Sequence, residues 1–62
     1  MCEASAYLIK GGEEELFMES VDILRPEMEG VYIQDIFGEQ RWLKAHIKEM
    51  SLVQHRIVLE KD

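Results

Sequence analysis

The group in this sequence best suited to chemistry is the thiol of Cys2, the chain's one cysteine, directly after Met1. A thiolate is a soft metal ligand, and beside a terminal amine it can chelate. If Met1 is removed, the amine and sulfur of Cys2 close a five-membered ring on a metal. If Met1 is kept, its amine and the Cys2 amide nitrogen can join the thiolate instead. Either arrangement fills only part of a coordination sphere. Two chains on a twofold axis would supply two sulfurs and two nitrogens, a set that in planar arrangement suits nickel(II) or copper(II). The alternative for Cys2 is a small hydrophobe on the strand face it shares with Ala4 and Ala6.

Other potential ligands are poorly placed. His46 and His55 are nine residues apart with no cysteine near either. His46 falls between Lys44 and Lys48, whose charges oppose a cation, and His55 sits in a turn. Glu3 points to the opposite face of an extended strand from Cys2. The run Glu13-Glu14-Glu15 reads as a solvated turn with weak attraction for cations. A second grouping, Trp42, Lys44, His46 and Lys48 with Arg41 beside it, forms an aromatic and basic stripe that could stack bases and track phosphates. Its alternative is a polar outer face whose Trp42 packs on a partner. Catalysis is not expected: the sequence has no nucleophile elbow, phosphate loop, His-Glu-x-x-His helix or paired-cysteine zinc spacing.

A hydrophobic period near two positions these groups on strands. Cys2 to Ile9 reads as a first strand with Cys2, Ala4, Ala6 and Leu8 on one face. Lys10-Gly11-Gly12 turns the chain. Glu13 to Glu15 could open a helix, but Leu16 to Leu24 alternates as a strand pair or one bent strand, which Arg25-Pro26 is expected to stop. A loop spans 27–30 and a third strand Val31 to Phe37. Gly38-Glu39 reads as a two-residue, glycine-first hairpin turn into a long fourth strand, Gln40 to Met50, with Leu43, Ala45 and Ile47 inward. A short turn, helical or not, covers Ser51 to Val53, and Arg56 to Glu60 closes the sheet. The expectation is all-β: one domain over residues 1–62, a small five- to six-stranded antiparallel barrel of the SH3-like or Sm-like kind. The inward set includes Leu16, Met18, Val21, Ile23, Val31, Ile33, Ile57 and Leu59. Tyr7, Ile9, Phe17, Leu24, Tyr32, Ile36, Phe37, Trp42, Leu52 and Val58 form an apolar surplus, part of which should cover a partner chain.

A chain of 62 residues buries only about 60 % of its unfolded surface, so a staple is expected. One cysteine cannot form an internal disulfide, which leaves dimerisation, a metal, or both. With 47 % hydrophobic and 32 % charged residues the chain should fold. It has neither a signal-like start nor the roughly 18 apolar residues of a membrane span, so the cytoplasm is the expected compartment. The formal charge of -6 arises entirely in residues 1–31, with eight acids and two bases, against five of each in 32–62. That balance makes nucleic acid an unlikely partner.

Met1-Cys2-Glu3-Ala4, Glu15-Leu16-Phe17-Met18-Glu19-Ser20-Val21, Asp35-Ile36-Phe37-Gly38-Glu39, Ile47-Lys48-Glu49-Met50 and His55-Arg56-Ile57-Val58-Leu59-Glu60 together resemble the CooT family, over nearly the whole chain and in the same order. The opening Met-Cys-Glu and the Phe-Gly-Glu turn carry most of that resemblance. It implies a small cytoplasmic homodimer that binds nickel(II) and is linked to maturation of nickel-dependent carbon monoxide dehydrogenase. Members of the family also carry an older label as RNA-binding proteins. The family's metal site is attributed to the cysteine at position two near the dimer interface, a role that maps onto Cys2. The combined expectation is a non-enzymatic carrier or store holding one nickel(II) per dimer through Cys2 and the adjoining nitrogens of Met1 and Cys2. Carbon monoxide dehydrogenase or its maturation proteins are the expected partners.

Overall fold

The computed structural model describes residues 4–61, so the readings made for Met1, Cys2 and Glu3 lie outside the described residues. Among the described residues there are six strands and no helix: β1 (Ala4–Lys10), β2 (Glu13–Glu27), β3 (Gly30–Asp35), β4 (Gln40–Leu43), β5 (Ala45–Ser51) and β6 (Arg56–Lys61). They form one sheet in the order β4-β3-β2-β1-β6-β5, curled into a half-barrel. The all-β class and the strand number are as the alternation implies. One neighbouring pair, β1 with β6, is parallel, and the rest are antiparallel.

The curl originates in β2. Gly11 and Gly12, at φ 61° and 83°, make the two-residue turn that starts it. One residue is then inserted against β1 between Leu16 and Met18, and another between Met18 and Val21, where Ser20 has φ 54°. A third irregularity against β3 falls between Val21 and Ile23. Each inserted residue bends its strand and increases local twist. Hence the 15-residue β2 can serve β1 with its first part and β3 with its second.

The first insertion also explains why Leu16, expected inward with Met18, is 52 % exposed while Met18 is buried. Strict alternation fails wherever a bulge intervenes. Pro26, expected to end the strand, lies inside it opposite Val31. Glu27 and Gly30 close a two-residue turn, so pairs alternate from there between hydrogen-bonded and open. Pro26 falls in an open pair, where its missing N–H removes no ladder bond.

Two connections differ from the expected ones. The link from β3 to β4 spans four residues, Ile36 to Glu39, because the Asp35 carboxylate organises it. Asp35 Oδ1 accepts from the Phe37 and Glu39 amides, each at 2.9 Å. Gly38 still supplies the positive φ, 89°. The expected long fourth strand is broken at Lys44 into β4 and β5, which lie at opposite ends of the strand order. Leu43, Ala45 and Ile47 keep facing the core through that corner, which is why alternation alone does not reveal it. The segment after Ser51 is a turn ending at His55, φ 55°, with the Gln54 amide donating to Ser51 Oγ.

The core comprises Ala6, Met18, Val31, Ile33, Ala45, Ile57 and Leu59, with Phe17 and Leu24 of the apolar surplus packed against it. Val58, also expected outside, is buried between Tyr7 of β1 and Glu49 of β5.

Candidate functional site

The sequence reading centres on Cys2, two residues before Ala4, so the surroundings of Ala4 define where that segment joins the fold. Ala4 pairs with Val21, and the next residue, Ser5, donates its amide to the His55 carbonyl at 2.9 Å. An apolar groove of about 290 Å³ begins there, lined by Ala4, Met50, Leu52, His55 and Ile57. Around it Met50, Leu52 and Val53 are 47 %, 80 % and 89 % exposed. A small domain gains nothing from three large apolar side chains in water at the end of β5 and the turn that follows, and a cluster of this kind marks an interaction surface. His55, read as an ordinary turn residue, thus lines the groove where the chain's N-terminal segment arrives. Sequence separation concealed this, since residues 4 and 55 meet only through the parallel β1–β6 pairing.

Among the described residues no group of three or more His, Cys, Asp or Glu side chains could hold a metal. The run Glu13-Glu14-Glu15 is spread along β2, where Glu14 pairs with Arg56, whose guanidinium in turn lies over the Tyr7 ring.

The aromatic and basic stripe is not one strand face. Trp42 lies on β4, Lys44 at the corner, and His46 and Lys48 on β5. Trp42 is half-buried across Gly30 and donates its indole N–H to Glu27 Oε1 at 3.1 Å. Its cross-strand neighbour Tyr32 stacks beneath the Arg25 guanidinium, 4.9 Å from the ring centre. His46 lies 3.3 Å from Glu60 on the adjoining strand. The aromatic member and the imidazole are therefore each engaged by a carboxylate, on different strands. This corrects the continuous stripe expected of an 11-residue strand.

No helix among the described residues is long and apolar enough to cross a membrane. No curated protein matches the chain. A crystal structure of a candidate CooT from Carboxydothermus hydrogenoformans is similar: it is 51 % identical, with 98 % of each chain covered and a TM-score of 0.87. The family described as CO dehydrogenase accessory protein CooT matches residues 1–60. A match over essentially the whole length, with the same half-barrel in a relative at that identity, leads to one conclusion: this chain belongs to the CooT family of carbon monoxide dehydrogenase accessory proteins.

Proposed function

We propose that the protein is a cytoplasmic nickel(II) carrier or store serving carbon monoxide dehydrogenase maturation, without enzymatic activity of its own. It acts as a homodimer that holds one nickel(II) through two copies of Cys2. The observation that carries this reading is the family match, which spans residues 1–60 and so includes Met1 and Cys2. Two features of the fold support it. The described residues contain no competing metal cluster, and the segment bearing Cys2 joins the fold beside the exposed Met50, Leu52 and Val53. Two peptide units allow Cys2 to lie at most about 7 Å from Ala4. In this reading the twofold contact is built on that apolar patch, beside the residue at which each Cys2-bearing segment enters the fold.

The donor set fits the cargo. Two thiolates and two nitrogens from Met1 or Cys2 form a strong-field planar set of the kind nickel(II) accepts. Thiolate and amide donors must lose protons before they bind, so nickel affinity falls as pH is lowered. Native mass spectrometry with and without nickel(II), paired with absorbance titration, tests the reading directly. A dimer that gains one nickel, with thiolate charge-transfer absorbance saturating at half an equivalent per chain and weakening below neutral pH, is expected. Nickel binding by Cys2→Ser as tight as by the parent would refute it.

A further inference from the structure

Five consecutive residues of β2, Leu16 to Ser20, form one wall of a groove of about 390 Å³. Phe37, Glu39 and Arg41 line it from the β3–β4 connection and from β4. Two inserted residues interrupt the alternation along this run, so the position of the groove follows from the pairing of β2 with its neighbours. β1 covers the first part of β2 on one side, whereas β3 begins to pair only at Val21. Residues 13–20 therefore have no strand on their other side among the described residues. Lys10 and Glu13 close the two-residue turn as a hydrogen-bonded pair. By alternation the amides and carbonyls of Glu14 and Leu16 point away from β1, toward the open edge. The Ile36 amide, donating to the Ser20 carbonyl at 2.9 Å, marks the far end.

The lining is mixed, with Leu16, Phe17 and Phe37 beside the carboxylates of Glu19, Asp35 and Glu39. Leu16 is 52 % and Phe37 84 % exposed. Glu13, Glu15 and Glu19 have no ion-pair partner among the described residues. The one base lining the groove, Arg41, is held by Glu39 at 3.3 Å and lies over the Phe17 ring. We propose that this edge is a docking site for an extended segment of another protein in which basic and apolar residues alternate. The segment adds a strand to β2, setting apolar side chains against Leu16 and Phe37 and its basic ones in the field of the unpaired Glu13, Glu15 and Glu19. A second copy of this chain is disfavoured there, because two such edges would bring their glutamates face to face. The inference is independent of the nickel reading and of the apolar patch at Leu52.

The probe is a capped hexapeptide alternating lysine and valine, titrated into the ¹⁵N-labelled full chain. A matching glutamate–valine peptide serves as control, and circular dichroism checks each variant's fold. The expected result is saturable amide shifts confined to 14–20 and 36–41, with no response to the acidic peptide. Glu19→Lys should weaken binding about tenfold, and raising salt from about 50 to 500 mM should weaken it about fivefold. Phe37→Ala should weaken it with the fold intact, since that ring is almost free of the core. Shifts elsewhere, an equal response to both peptides, no response at millimolar peptide, or concentration-dependent self-pairing along this edge would overturn the proposal.

Discussion

Gly30 opens β3 close against Leu43 and Trp42 of β4, and Gly30→Ala tests how that edge is held. A methyl group there would sit 2.4 Å from the Leu43 carbonyl oxygen and 2.8 Å from Cζ2 of Trp42. Comfortable contacts of this kind are about 3.5 Å, so β4 must retreat by roughly 1 Å. The nearer obstacle is backbone, which no side-chain rotation relieves. A retreat of that size stretches the 3.1 Å bond between Trp42 Nε1 and Glu27 Oε1 past useful length, a loss of about 1 kcal/mol. Overpacking adds about 1–3 kcal/mol. The expected destabilisation is therefore about 2–4 kcal/mol. A 62-residue domain has only about 3–9 kcal/mol in total, so the variant should melt about 15–30 °C lower or be partly unfolded at 25 °C.

Urea unfolding followed by far-ultraviolet circular dichroism and by the fluorescence of Trp42, the chain's one tryptophan, measures the effect. Two protein concentrations separate folding from association. Repeating the substitution in a Trp42→Ala background isolates the ring. Because the carbonyl contact persists, at least half of the penalty should remain. If Gly30→Ala is within about 0.5 kcal/mol of the parent, the close approach of β3 and β4 is not a constraint on stability and the reasoning fails.

Asp35→Ala leaves the Phe37 and Glu39 amides without their shared acceptor and should cost about 2 kcal/mol, whereas Asp35→Asn, which keeps an oxygen, should cost less than half as much; equal losses in denaturant titration would show that those bonds are not what holds the connection. Ser20 adopts a left-handed conformation that penalises a Cβ, so Ser20→Gly should leave stability unchanged or raise it by up to about 1 kcal/mol, while Ser20→Val should lower it by about 1–2 kcal/mol. The reverse order in thermal melts would mean that the bend in β2 does not depend on that residue's backbone.

Alternation made the strands legible because most of them bury one face: Ala4, Ala6 and Leu8 on β1, Val31 and Ile33 on β3, and Leu43, Ala45 and Ile47 on either side of the corner all face or pack against the core. Where the chain departs from alternation, the cause is a backbone event that residue type barely signals. Leu16 has the polarity of a core residue, and only an inserted neighbour turns it out. Lys44 is an unremarkable polar position in the sequence, and nothing in its side chain announces that the strand leaves one edge of the sheet for the other. Pro26 misleads in the opposite direction, since proline breaks a ladder only when its nitrogen faces the partner. The candidate site divides similarly. Cys2 stands out by type and position, whereas the apolar patch beside Ala4 depends on residues some fifty positions away, and no local pattern links Leu52 and His55 to the start of the chain.

The uneven charge acquires a physical role once the sheet order is known. Seven of the eight acids in residues 1–31 fall between Glu13 and Glu29, along β2 and the turn that ends it. This strand leaves part of its backbone unpaired. An unguarded edge of that length invites pairing between identical chains, and charged side chains are a common means of preventing it. The same carboxylates that block self-pairing make the edge selective for a basic partner. The turn after β5 carries a contrasting surface. Leu52 and Val53 are apolar and nearly fully exposed, and their turn contains no acid. On the two proposals above, charge separates two kinds of association within 62 residues, and exchanging the two patterns gives the decisive test. Leu52→Glu with Val53→Glu should shift a dimer toward monomer in sedimentation while leaving lysine–valine peptide binding within about twofold. Glu15→Gln with Glu19→Gln should reduce peptide binding and leave the dimer intact. If either pair of substitutions moves both readouts together, the two surfaces are one, and the separation of roles fails.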